Sequence, residues 1–198
     1  MRYDENHKQE TRAKVLSAAA RALRADGPER VGVAGVMARA GLTHGGFYAH
    51  FTSKEDLIAQ AIGQMFLEAQ AKMAASVEGK GPAEALKSYI NFYLSRSHRD
   101  ERDTGCPLPA LSADLARMAP GARERFGEGV EGLRQRLAGW LAGMGKPQPQ
   151  VLAASVLAEM VGAVTLARAI ADRGQSDAIL KTSRAALRAR LGLDESHE

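Results

Sequence analysis

Apolar residues recur at steps of three and four along almost the whole chain, and the runs are cut by glycine and proline. Val15, Ala18, Ala19 and Leu23 mark one face of a first helix, expected from about 11 to 26, with Thr11 as its cap and Gly27-Pro28 as its stop. Positions 33–40 form a short second helix, and Gly41 is placed to end it in the left-handed conformation. Thr43 caps a third short helix through His50. Ser53, with Asp56 three residues on, opens a helix to about Val77 whose apolar face carries Ile58, Ile62, Met65 and Met73. Further helices are expected over 83–96, 107–118, 120–144, 148–172 and 176–191, with the charged stretch 95–105 read as a loop. Strand alternation and hairpin turns are lacking. The expected fold is all-α with about nine helices.

Two adjacent glycines, Gly45 and Gly46, interrupt the third helix of this pattern. Each costs about 1 kcal/mol relative to alanine inside a helix. Three helices in the first 51 residues, the last two short and joined by Gly41-Leu42-Thr43, have the layout of a helix-turn-helix. In that layout the third helix enters the DNA major groove. Residues without a Cβ let its backbone approach the duplex. Thr43, His44, Gly45, Gly46 and Tyr48 are then candidate DNA contacts, with His50 and Lys54 behind them and Arg12 on the first helix as a flanking phosphate clamp. Phe47 and Phe51 read as core residues that hold the segment in place.

Charge agrees with that reading. The net charge is +4, and the first 51 residues hold eight Lys/Arg against five Asp/Glu. An excess of cations in this quarter of the chain suits a domain that meets phosphates. His44 and His50 are six apart, off a common helical face, and no second cluster completes a metal site, so neither metal nor other cofactor is expected.

The segment GLTHGGFYAHFTSKEDLIAQAI, 41–62, together with TRAKVLSAAARALRADG upstream, resembles the DNA-binding region of the tetracycline-repressor (TetR) family of bacterial transcription regulators. The likeness covers about residues 11–62; the remainder is similar only in length and helical pattern. One departure is visible. The second helix of that family often begins with Thr or Ser and carries a charged residue in its first turn, whereas this chain reads Gly32-Val33-Ala34-Gly35. The resemblance implies an Ω-shaped homodimer with an N-terminal helix-turn-helix domain, 1–53, and a C-terminal helical domain, 54–198, that dimerises and binds an effector.

The C-terminal pattern bears on both roles. Positions 151–170 are apolar on nearly all sides, with Ala154, Ala158 and Gly162 as a small-residue stripe; Leu180, Leu187 and Leu191 offer a second seam. Leu152, Val156, Ala158, Gly162, Leu180, Leu187 and Leu191 are the expected dimer interface, a four-helix bundle across a two-fold axis. Such a dimer spaces its reading helices by about one DNA turn, ~34 Å, or a multiple, and predicts a near-palindromic operator. Met65, Phe66, Met73, Tyr89, Phe92, Tyr93, Phe126 and Trp140 are the candidate effector pocket.

The single cysteine, Cys106, excludes an intrachain disulfide and suits a reducing cytoplasm. Between Gly105 and Pro107 it can cap the next helix, with Arg99 and Arg102 lowering its pKa, as an exposed sensor of oxidants or electrophiles. The opening MRYDENHKQE is unlike a signal or transit peptide, and no apolar run approaches the ~20 residues of a membrane span. The reading is a cytoplasmic, non-enzymatic transcription regulator, a repressor released from its operator by a small apolar ligand or by modification of Cys106. Two alternatives stand beside it: a DNA-binding architectural or division-control module without effector, and a thiol enzyme pairing Cys106 with His98.

Overall fold

A computed structural model describes residues 2–194, with side chains from residue 6 onward. Among these residues the secondary structure is helical throughout, with nine α-helices and three short 3-10 segments. The α-helices are α1 (Arg2–Asp26), α2 (Val33–Arg39), α3 (Lys54–Val77), α4 (Pro82–Tyr93), α5 (Arg96–Asp100), α6 (Pro107–Leu111), α7 (Pro120–Gly143), α8 (Pro149–Ala169) and α9 (Arg173–Leu191). The 3-10 segments are His44–Ala49, Arg102–Thr104 and Leu115–Arg117. The chain divides into two compact units, residues 1–69 with 102–129, and residues 70–101 with 130–198. Both α3 and α7 contribute residues to each unit.

Several expected boundaries move. The first helix begins at Arg2, so Thr11 lies inside it and caps nothing. The added turns include Arg2, Glu5, Lys8, Gln9 and Glu10, good helix formers. The third helix is 3-10 rather than α, closed by i→i+3 bonds from the Gly46 N–H to the Thr43 carbonyl (3.2 Å) and from the His50 N–H to the Phe47 carbonyl (3.0 Å). The stretch read as a loop, 95–105, holds α5 and a 3-10 turn, with His98 and Arg99 buried.

In the first unit, Val15, Leu23, Met37, Phe47, Leu57 and Ile62 form the buried centre. Arg24 is buried with them. It donates to Glu68 (2.8 Å) and to the Met65 carbonyl (3.0 Å), tying α1 to α3. The two helices α3 and α7 approach closely here. A Cβ at Gly129 would lie 2.2 Å from the Phe66 ring.

In the second unit, α8 packs along α9 over Val156, Met160, Val164, Leu180, Leu187 and Leu191, all buried. Val156, Leu180, Leu187 and Leu191 are therefore this unit's own core, not an outward seam. Of the expected interface set, Ala158 is exposed and Leu152 and Gly162 are half-buried. Contrary to the sequence reading, α8 is long and apolar enough to cross a membrane by length and composition. The interruption by Glu159 hid this. That carboxylate meets Arg190 of α9 at 2.8 Å, which fits a packed helix.

Candidate nucleic-acid interface

The turn between α2 and the 3-10 segment is fixed by backbone geometry. Gly41 has φ +74°, its N–H reaches the Ala38 carbonyl (3.0 Å), and the Leu42 N–H reaches the Met37 carbonyl (2.9 Å). This paired closure needs a left-handed residue at position 41, which glycine supplies without strain. After it, Thr43 takes the N-cap position in extended conformation, with its hydroxyl making no cap hydrogen bond.

Phe47 and Phe51 then anchor the segment. They are 1% and 2% exposed and stack at 5.6 Å. The remaining side chains face outward: Thr43, His44 and Gly45 are exposed, and Tyr48 is 73% exposed against the edge of Phe47. Inside the chain nothing demands glycine at 45 or 46. Neither has positive φ, a Cβ at Gly45 would meet nothing within 4 Å, and one at Gly46 would meet only the Met37 Cε at 3.8 Å.

The following helix is capped as its sequence suggests. The Asp56 N–H donates to Ser53 Oγ (3.1 Å), and the Asp56 carboxylate accepts from the Thr52 N–H (3.0 Å). The bond from Gln60 Nε2, and then that from the Thr52 N–H, hold the Asp56 carboxyl below its ordinary pKa. Lys54, at the first turn, is half-buried.

Arg12 is placed differently from expectation. Its guanidinium donates to Gln60 and lies over the Phe51 ring, 5.5 Å from the centroid. It braces α1 against the start of α3 rather than reaching outward. His50 is half-buried, and its Nδ1 has no partner among the described residues. Burial, then Lys8, then Arg12, lower its pKa, so the ring is neutral at physiological pH. Lys8 was missed by the sequence reading. It lies four residues before Arg12, on the same face of α1, and that spacing was the available signal.

The candidate effector residues fall into separate groups. Phe66 and Phe126 meet edge-on at 5.5 Å in the first unit. In the second, Tyr89 packs against Tyr93 (5.7 Å) and Trp140 (5.8 Å). Phe92 is 39% exposed and contacts His98. Met65 and Met73 are buried in the first and second unit respectively. Cys106 does sit at the N-cap of α6, but it is buried at 6% exposure and makes no cap hydrogen bond. His98 donates from Nδ1 to the Tyr93 carbonyl (2.7 Å), and burial lowers its pKa to about 4. Among the described residues no group of His, Cys, Asp and Glu has metal-binding geometry.

Residues 15–61 match the family model of bacterial regulatory proteins of the tetR family. Residues 82–181, half of the chain, match the C-terminal domain of LmrA/YxaF-like transcriptional regulators. The chain belongs to the TetR family. Solved structures agree with this regulator over nearly its full length. A TetR regulator from Chloroflexus aurantiacus J-10-FL is 25% identical with a TM-score of 0.80, covering 94% of this chain and 96% of its own. E. coli NemR in its reduced form is 18% identical with a TM-score of 0.79, covering 91% and 97%. A TetR-family regulator from Cytophaga hutchinsonii is 19% identical with a TM-score of 0.79, covering 92% and 96%. Among curated proteins the sequence finds no significant match.

Proposed function

We propose that this regulator is a cytoplasmic homodimeric repressor that grips a near-palindromic operator through the segment 43–54. The observation that carries this reading is the glycine pair. Gly45 and Gly46 weaken the segment, yet the chain's own packing leaves room for a Cβ at both. An external surface pressed against the backbone accounts for them, and the exposed Thr43, His44 and Tyr48 surround that spot. Lys54 and His50 supply further contacts at the edge. Arg12, engaged by Gln60 and Phe51, positions the segment instead of touching phosphate.

Dimerisation is supported by α8. Val151 is 65% exposed and Leu166 56% exposed, on a face shared with Ala154 and Ala158. Exposed apolar residues along one helix face, with small residues between them, suit close packing against a second copy. Release by a small apolar ligand is the switch we favour, with the Tyr89, Tyr93 and Trp140 cluster of the second unit as support. Burial of Cys106 weighs against direct modification as the trigger, and the engaged, neutral His98 weighs against a thiol enzyme.

Selection of bound duplexes from a random DNA pool tests the central reading. The expected result is one enriched sequence with two-fold symmetry, bound by two protomers or a multiple of two. A pool that returns no enriched motif, or a monomer in solution at the binding concentration, removes it.

A further inference from the structure

In the second unit an open cleft of about 740 Å³ lies between the end of α4, the turn into α5 and the first half of α9. That volume falls within the range of small-molecule sites. None of the eight aromatic and methionine residues considered above lines it. Its wall carries Arg96, Lys181 and Arg184 against one carboxylate, Asp177.

That carboxylate is already shared. One oxygen lies 2.7 Å from Arg96, the other 2.7 Å from the buried Arg99. Arg99 has a second partner in Asp100, which also serves Arg173. Lys181 and Arg184 have no acidic partner among the described residues. They stand three apart on one helix, where like charges repel. A wall with uncompensated cations attracts an anion.

The neutral donors agree. Ser95 and Ser97 line the same cleft with their hydroxyl oxygens 2.9 Å apart, and Ser95 Oγ also accepts the His98 N–H. One hydroxyl proton binds the pair together, and the other is left to donate outward. Ala178, exposed beside the buried Leu94 and Leu180, gives a small apolar surface.

The wall is also held in place. Arg99 donates to Ser176 Oγ (2.8 Å), which donates to the Ala167 carbonyl (2.6 Å). Arg168 donates to the carbonyls of His98 (2.9 Å) and Arg99 (3.1 Å). A preorganised wall loses little freedom when a ligand arrives.

We propose that this cleft binds a small phosphomonoester. Its dianionic head meets Lys181, Arg184 and a serine hydroxyl, and a short apolar body lies against Ala178. A dianion matches two unpaired cations better than a carboxylate does. The inference stands apart from the DNA reading, and its test contains no DNA, so either can fail alone.

Isothermal titration of the full-length protein with phenyl phosphate, benzoate and phenol tests it. Phenyl phosphate is expected to bind saturably, benzoate about tenfold more weakly, and phenol not at all. The double variant Lys181→Gln/Arg184→Gln should weaken phenyl phosphate by about tenfold or more, while Arg136→Gln on α7 leaves it unchanged. If the double variant does not fold, Lys181→Gln alone, at an exposed position, should weaken binding severalfold. The proposal is overturned if phenyl phosphate shows no saturable binding, if phenol binds equally well, or if neutralising these cations leaves the affinity unchanged.

Discussion

Gly45 and Arg99 sit in segments that look equally irregular in sequence, one broken by glycines and the other crowded with charge. Their structures differ in where the reasons for each residue lie. The Arg99 guanidinium and the carbonyls beside it are used inside the unit: Asp100, Asp177 and Ser176 take the guanidinium, Arg168 donates to two carbonyls, and His98 to a third. Around Gly45 almost nothing is used. Only Phe47 and Phe51 are buried, while Thr43 and His44 face solvent and Tyr48 is 73% exposed, with one edge against Phe47. A residue explained by its neighbours is structural. A residue its neighbours leave unexplained is where a partner should be sought.

The strongest way to break this contrast is Gly45→Leu/Gly46→Leu. A Cβ meets nothing at 45 and only the Met37 Cε at van der Waals distance at 46, so the melting temperature should stay close to wild type once the flexible end of Met37 shifts. Binding to the selected operator should fall by at least about 4 kcal/mol, to the level of non-specific DNA, read by fluorescence anisotropy. Operator affinity equal to wild type would show that the pair has no external role.

Arg99→Met probes the other side. It strips Asp177 and Ser176 of their shared cation, and we expect a stability loss of about 3 kcal/mol in urea unfolding. Asp100 and Asp177 are partly exposed, which keeps the loss at the low end for a broken buried pair. A change below about 1 kcal/mol would mean that the network is ornamental.

His98 sharpens the same point through pH. Unfolded, it protonates near 6.5; folded, near 4. Between those values the unfolded chain holds the extra proton, so stability falls as pH drops. From pH 7 to pH 5 its share is on the order of 2 kcal/mol, and His98→Phe should flatten that part of the curve. A wild-type stability that does not fall over this interval would contradict the buried, neutral ring.

The smallest expected effect is at Tyr48. Tyr48→Ala should weaken operator binding by about 1 kcal/mol while leaving the unfolding midpoint in place, since the ring is 73% exposed. A lost midpoint with unchanged binding would assign Tyr48 to packing.

The contrast also explains what could be read in advance. The Gly41 turn, the Ser53–Asp56 cap and the buried Phe47 and Phe51 all follow from spacings of a few residues, and each was legible. Where Arg12 points could not be read in advance, because its side chain meets Gln60, 48 residues away. Val156, Leu180, Leu187 and Leu191 were assigned to a partner because a heptad-like seam looks the same whether it faces a neighbour in the same chain or in another. The 95–105 stretch was read as a loop because it is charged and without period, yet its helix buries Arg99, whose charge Asp100 and, from α9, Asp177 neutralise.

By itself the sequence determined the helical pattern, the helix-turn-helix with its bare backbone, and the family, because hydrophobic period, caps and left-handed turns are local. Tertiary structure alone decided which apolar seams close within the unit, where Arg12 and Arg24 point, and that a cationic cleft forms beside α9. Those outcomes depend on side chains meeting across tens of residues, and which distant charge neutralises which is fixed only when the chain has packed.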